Sequence, residues 1–203
     1  MDEHFRIFPT CVLKTNLGRE FNATELKYFN SVDGYSNNIG NLQSTDTDIL
    51  SKKELKLIKA FISEKIAVFL DGVFKPKYPV ELYMTQSWLN KTLKNMSHHK
   101  HWHQNSIISG VFYVNAMGEH DRIYFNNPIA QSAFYIEPRE YTLDNSRTWF
   151  IPVKTGDLLL FPSWVEHHVE NNNHDHERIS LAFNTFAKGS LGAPEQLNNL
   201  ILK

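Results

Sequence analysis

The chain has 203 residues, 41% of them hydrophobic and 21% charged, and a formal net charge of −1. That length holds one substantial domain with its own core, and the near-neutral charge leaves no electrostatic footprint for nucleic acid. Cys11 is the single cysteine, which excludes an internal disulfide framework and fits a reducing, cytoplasmic setting. No apolar run is long enough to cross a bilayer as a helix, and Met-Asp-Glu-His-Phe-Arg does not read as a signal peptide.

In chain order, residues 5–13 read as a leading strand. Asn22-Ala-Thr-Glu25 has the spacing of a helix cap and precedes Leu26 and Phe29 at helical separation. Residues 33–48, rich in Asn, Ser and Asp, read as a loop. Ser51-Lys-Lys-Glu54 has capping-box spacing, and Leu55, Ile58, Ile62, Ile66, Phe69 and Leu70 then recur at three- and four-residue steps. That pattern predicts a helix running to about Gly72 whose apolar stripe packs on a sheet. Residues 1–75 thus form a helical support layer.

From Tyr78 the period shifts toward two. Strands are expected at 80–89, 100–104, 107–115, 122–125, 148–153, 157–161, 165–170 and 178–186. Turn chemistry such as Met117-Gly118, Asn126-Asn127-Pro128, Lys154-Thr-Gly156 and Asn171-Asn-Asn173 separates them. About eight short strands after a helical layer predict a mainly β, α+β fold: a sandwich or jelly roll with helices on one face. With no internal repeat and no linker, residues 1–203 read as a single domain.

Nine of the ten histidines fall between His98 and His176, in the strand-rich part. His99, His101 and His103 alternate and would share one face of an extended strand, where a neighbouring pair can serve one small ion. By itself such a pair also describes exposed histidines on an edge strand. His167 follows a turn, a buried strand and a sharp stop over Lys154-Thr-Gly156-Asp157-Leu-Leu-Leu-Phe161-Pro162, which places it at the mouth of the barrel with His168 facing away. Arg178 supplies a permanently charged fork for a carboxylate and Ser180 a hydroxyl, although Arg178 could instead pair with Glu177 or Asp175. A facial set of imidazoles plus this anchor reads as a mononuclear iron site beside a dicarboxylate co-substrate.

Tyr113 reads either as a core residue or as a hydrogen-bond donor to the co-substrate. Asn184 shares strand parity with Arg178 and Ser180 and would face the cavity. Trp88, Trp102 and Trp164 are candidates to line the mouth. The turn at 118–121 and the stretch 128–147 are long enough for a lid.

Two runs carry a family resemblance: His101-Trp-His103-Gln-Asn105-Ser106-Ile-Ile-Ser109-Gly110-Val-Phe-Tyr113-Val, and Gly156-Asp-Leu-Leu-Leu-Phe-Pro-Ser-Trp164-Val-Glu-His167 with Glu177-Arg-Ile-Ser180-Leu-Ala-Phe-Asn184 behind it. The chain resembles the iron(II)/2-oxoglutarate-dependent oxygenases related to prolyl 4-hydroxylases, from Phe8-Pro9-Thr10 onward. Such proteins are common among marine phages and bacteria, and the Asn- and Lys-rich composition fits a phage origin. The resemblance implies a double-stranded β-helix, a cupin-like barrel over about 78–188. Within it His167 would be the distal iron ligand, and Arg178 and Ser180 the pair holding the far carboxylate of 2-oxoglutarate.

It also implies iron(II), 2-oxoglutarate and dioxygen as reactants, with decarboxylation to succinate and hydroxylation of a second substrate, of which a prolyl or other peptidyl group is one class. The wider superfamily has His-x-Asp or His-x-Glu where this chain has His-x-His. The ligand set is then His101, His103 and His167, with His99 in place of His103 as the rival and Asp121 as the nearest carboxylate. Two other readings keep the fold: a cupin-like three-His iron dioxygenase that does not use 2-oxoglutarate, and a non-catalytic jelly-roll module.

Overall fold

A computed structural model describes residues 3–128 and 136–203. Its first strand, β1 (Leu13–Asn16), begins where the expected leading strand ends. Residues 5–12 carry no strand, with Phe5, Ile7 and Phe8 exposed. Pro9 lacks the amide that a ladder needs, and Phe8 sits at φ 60, outside the extended region.

Helix α1 (Ala23–Ser31) has the expected cap. The Asn22 side chain accepts from the Thr24 and Glu25 amides, and the Glu25 carboxylate returns to the Asn22 amide at 2.9 Å. Arg19 grips the buried Glu25 through both carboxylate oxygens. The expected loop instead holds two short strands, β2 (Tyr35–Asn37) and β3 (Leu42–Ser44). They pair with each other as a hairpin, and β3 sets Leu42 and Gln43 opposite Lys91 and Asn90, a tertiary pairing that no local propensity encodes.

The capping box expected at Ser51 does not form. The Ser51 hydroxyl donates to the Asp48 carbonyl at 2.8 Å, two 3₁₀ turns intervene, and α2 runs over Lys56–Phe69. A local side-chain-to-backbone bond has displaced the cap. Beyond Phe69 a π-helical turn (Leu70–Phe74) ends at Lys75 in the left-handed region. Ile58, Ile62, Ile66 and Phe69 are buried, as the periodicity requires.

All eight expected strands are present: β4 (Val80–Thr92), β5 (His98–His101), β6 (Ile108–Asn115), β7 (Arg122–Asn126), β8 (Thr148–Pro152), β9 (Asp157–Pro162), β10 (His167–Val169) and β11 (Arg178–Leu191). A further strand, β12 (Leu200–Leu202), pairs with the end of β11. The large sheet has the order β1-β9-β6-β11-β4-β3-β2, and the small one β5-β10-β7-β8. The chain passes back and forth between the two sheets, all pairs are antiparallel, and the result is a double-stranded β-helix.

Two cores follow from strand alternation. Leu158 and Leu160 of β9, with Phe112, Leu181 and Phe183, face α2. Leu159 and Phe161, with Tyr113, Ile123, Phe125 and Val165, fill the space between the sheets. Burial on both faces explains the unbroken apolar run of β9. Gly110 is required by the first core, because a Cβ there would lie 2.1 Å from Cζ of Phe183.

Candidate metal centre

The small sheet brings the histidines together. His101 closes β5, His167 opens β10, and the antiparallel register sets them directly opposite one another. His103 lies just past β5, where its amide donates to the Ser163 carbonyl at 2.9 Å. A hydroxyl chain from Ser109 to Ser163 (2.8 Å) to Ser106 (2.7 Å) holds the loop that follows. Ring nitrogens of His101, His103 and His167 lie within 4.8 Å of one another.

Tautomer and protonation both suit ligation. Nδ1 of His101 lies 2.8 Å from the His99 carbonyl, and Nδ1 of His167 lies 3.0 Å from that of Val165. Each Nδ1 therefore carries the proton and donates it, which leaves Nε2 with its lone pair free. Burial pulls the pKa of His103 down to about 4, and it lowers those of His101 and, further, His167. All three rings are neutral at pH 7, the form that binds a metal. His167 is only 5% exposed, so it is buried rather than set at a mouth.

Arg178 opens β11 opposite Thr92, the last residue of β4, and lines the same cavity as the three imidazoles. It is 4% exposed. Its Nη2 donates to Thr92 Oγ1 at 3.0 Å, and Nη1 lies 4.0 Å from Asp121 Oδ1. Burial lowers the guanidinium pKa, opposed by Tyr113 and Asp121. The surface pairings considered for it belong elsewhere: Glu177 pairs with Lys91 and Asp175 with Lys94.

Ser180 and Tyr113 also line the cavity, and burial raises the Tyr113 pKa so that it stays a neutral donor. Val111, Ile123 and Ala182 supply the apolar wall. Trp88 is part of the lining, its ring 6.0 Å from that of His103, whereas Trp102 and Trp164 are more than half exposed and stand outside.

Three expectations land differently. Asn184 does not line the cavity; its Oδ1 accepts from Ser109, next to an irregularity in the β11 register. Asp121 is in neither histidine triad found among the described residues, its Oδ2 being taken up by the Met117 amide and His176 Nε2. His99 groups with His98 and His101, whereas the group that contains His167 also contains His103. Of the stretch expected as a lid, residues 129–135 lie outside the described residues.

Two participants were not anticipated. Thr92 orients Arg178, and no motif marks it. His98 enters the cavity against His101, and the visible signal was only its membership of four histidines in six residues.

The three-imidazole set fits iron. Nitrogen donors suit it, and neutral ligands leave its charge for a dianionic chelator to offset. Arg178, buried and charged in the same cavity, fits the chelator's far carboxylate.

A family model described as "Putative 2OG-Fe(II) oxygenase" matches residues 86–184. None of the curated proteins compared with the chain matches it. Among solved structures, HygX from Streptomyces hygroscopicus with nickel and 2-oxoglutarate bound is 13% identical with a TM-score of 0.58, over 87% of this chain and 82% of that one. An oxidoreductase of the 2OG-Fe(II) oxygenase family from Burkholderia pseudomallei is 12% identical with a TM-score of 0.56, over 86% and 83%. A prolyl-4-hydroxylase from Pseudomonas putida is 12% identical with a TM-score of 0.56, over 86% and 92%. These likenesses concern the fold. No helix among the described residues is long and apolar enough to cross a membrane.

Proposed function

We propose that this chain, matched by a 2OG-Fe(II) oxygenase family model over residues 86–184, is a hydroxylase whose iron is held by His101, His103 and His167 and whose 2-oxoglutarate is anchored by Arg178. The observation that carries this reading is the convergence, in one cavity, of three neutral imidazoles and a buried guanidinium. With iron, dioxygen and 2-oxoglutarate in place, the centre supplies an oxidative decarboxylation: R–H, dioxygen and 2-oxoglutarate become R–OH, succinate and carbon dioxide.

The chain's own residues bind, orient and shield. His101, His103 and His167 would hold the iron through neutral imidazole nitrogens. Arg178 takes the distal carboxylate, with Ser180 and Tyr113 as added donors. Thr92 fixes the guanidinium, and Val111, Ile123 and Ala182 keep water from the reacting groups. Residues 1–75 support the barrel at 78–188, the whole acting as one domain. A cytoplasmic, reducing setting suits the single, exposed Cys11.

A peptidyl proline is the first substrate class to try, since the Pseudomonas putida prolyl-4-hydroxylase shares the fold. The deciding experiment is an anaerobic titration of apoprotein with iron(II), then 2-oxoglutarate, followed in the visible spectrum. A charge-transfer band that needs both components is expected, and in Arg178→Ala it should require far more 2-oxoglutarate. Iron binding with no such band would overturn the assignment.

A further inference from the structure

His98 has no place in the proposed centre, yet it lies in its cavity, with its ring stacked on His101 at 4.4 Å between centroids. On a regular strand His98 and His99 would point to opposite faces. Here they do not, and the register shows why. His167 sits opposite His101 and Val169 opposite His98, so three steps along β5 match two along β10. The extra residue makes a bulge, which breaks the alternation and turns neighbouring side chains toward one another.

The three rings that result form a compact group. The His98–His99 and His99–His101 centroids are 5.2 Å and 4.9 Å apart, and one nitrogen of each ring lies within 4.8 Å of the others. All three are only partly buried. His98 and His99 border an open groove of about 510 Å³ lined also by Ser97, Lys100 and His168, while His101 faces the inner cavity. The deeper group, His101, His103 and His167, includes the fully buried His167.

We propose that His98, His99 and His101 form a second metal-binding triad, open to solvent, through which a divalent transition-metal ion reaches the deeper triad. His101 belongs to both. Its Nδ1 is engaged by the His99 carbonyl at 2.8 Å, so it offers one lone pair, and the two triads compete for it. The chain therefore holds one ion at a time. An ion passing inward keeps His101 and exchanges His98 and His99 for His103 and His167. Ligand exchange around a retained imidazole avoids complete release into an apolar cavity, where a bare ion is poorly solvated.

The proposal shares His101 with the proposed function, but its test does not depend on 2-oxoglutarate. Cobalt(II) alone would be titrated into apoprotein by equilibrium dialysis and visible absorption, with circular dichroism as the folding control. Wild type should bind one ion per chain. His103→Ala/His167→Ala should still bind one, more weakly, and adding His98→Ala and His99→Ala should abolish it. Folded His103→Ala/His167→Ala that binds none, or wild type that binds two, would overturn the proposal.

A second variant keeps the question open to refutation should that one not fold. His98→Ala/His99→Ala, with the deeper triad intact, should reach the same stoichiometry but load roughly tenfold more slowly in stopped flow. Loading at the wild-type rate would overturn the route. Failure of the 2-oxoglutarate-dependent band in iron-loaded wild type would instead count against the proposed function.

Discussion

His101 and His167 face each other across the β5–β10 ladder, with 4.3 Å between ring centroids. Two residues far apart in sequence are thus fixed by sheet register rather than by a local turn. Because His101 also belongs to the group with His98 and His99, His101→Ala should remove metal binding altogether, whereas His103→Ala or His167→Ala should only weaken it. Elemental analysis of dialysed, metal-loaded variants would separate these outcomes. Equal residual metal in all three would contradict the shared role.

Thr92→Val is nearly the same shape and deletes the acceptor that receives Arg178 Nη2 at 3.0 Å. A hydrogen bond to a charged group is worth about 1.5–3 kcal/mol, so 2-oxoglutarate affinity should fall about tenfold or more. Iron(II) affinity should not move. A matched loss of both would point to a general collapse of the cavity.

Gly110→Ala places a methyl group 2.1 Å from Cζ of Phe183. Overpacking of this kind costs about 1–3 kcal/mol. Thermal unfolding should shift down by several degrees, and Phe183→Leu in the same background should recover part of the loss. An unchanged melting temperature would mean that the ring moves aside freely.

Asn22→Ala removes the α1 cap, in which Asn22 Oδ1 accepts from the Thr24 and Glu25 amides. The expected loss is about 1 kcal/mol of stability, measured by urea denaturation, with turnover of 2-oxoglutarate unaltered. Reduced turnover in a fully folded sample would show that this helix reaches the centre.

Metal-free protein should lose stability as pH falls from 6.5 toward 4. Burial depresses His98 to about 3 and His103 to about 4, from an ordinary 6.5. In that window the unfolded chain takes up protons that the folded rings refuse, so acid favours unfolding. Urea midpoints at pH 7.0, 6.0 and 5.0 would show the slope. His98→Asn/His103→Asn should flatten it, and an unchanged slope in that variant would assign the effect to other groups.

The parts legible in sequence were those written in short periods. Ile58, Ile62 and Ile66 announced α2, the apolar run of β9 announced a doubly covered strand, and Asn22 with Glu25 announced a cap that is present. Strands β2, β3 and β12 were not legible: β3 is held by the distant β4, while β2 and β12 are short strands that pair with their chain neighbours β3 and β11. The Ser51 box misled because Asp48 offered its hydroxyl a nearer acceptor.

At the candidate centre, residue type and spacing singled out His101, His103, His167 and Arg178. They could not place His98, since a bulge is a property of two strands at once. Nor could they show that Asn184 would be taken by Ser109, or Asp121 by His176.

The pairing of β5 with β10 also sets a timetable. During synthesis His101 leaves the ribosome before His167 and Arg178, and at about 5–20 residues per second the gap to Arg178 is roughly 4–15 s. In that interval β10 does not yet exist, so the bulge that gathers His98, His99 and His101 has not formed. Both histidine groups therefore arise in one event, the pairing of β10 with β5, which puts any metal loading by them after the barrel closes rather than during its synthesis.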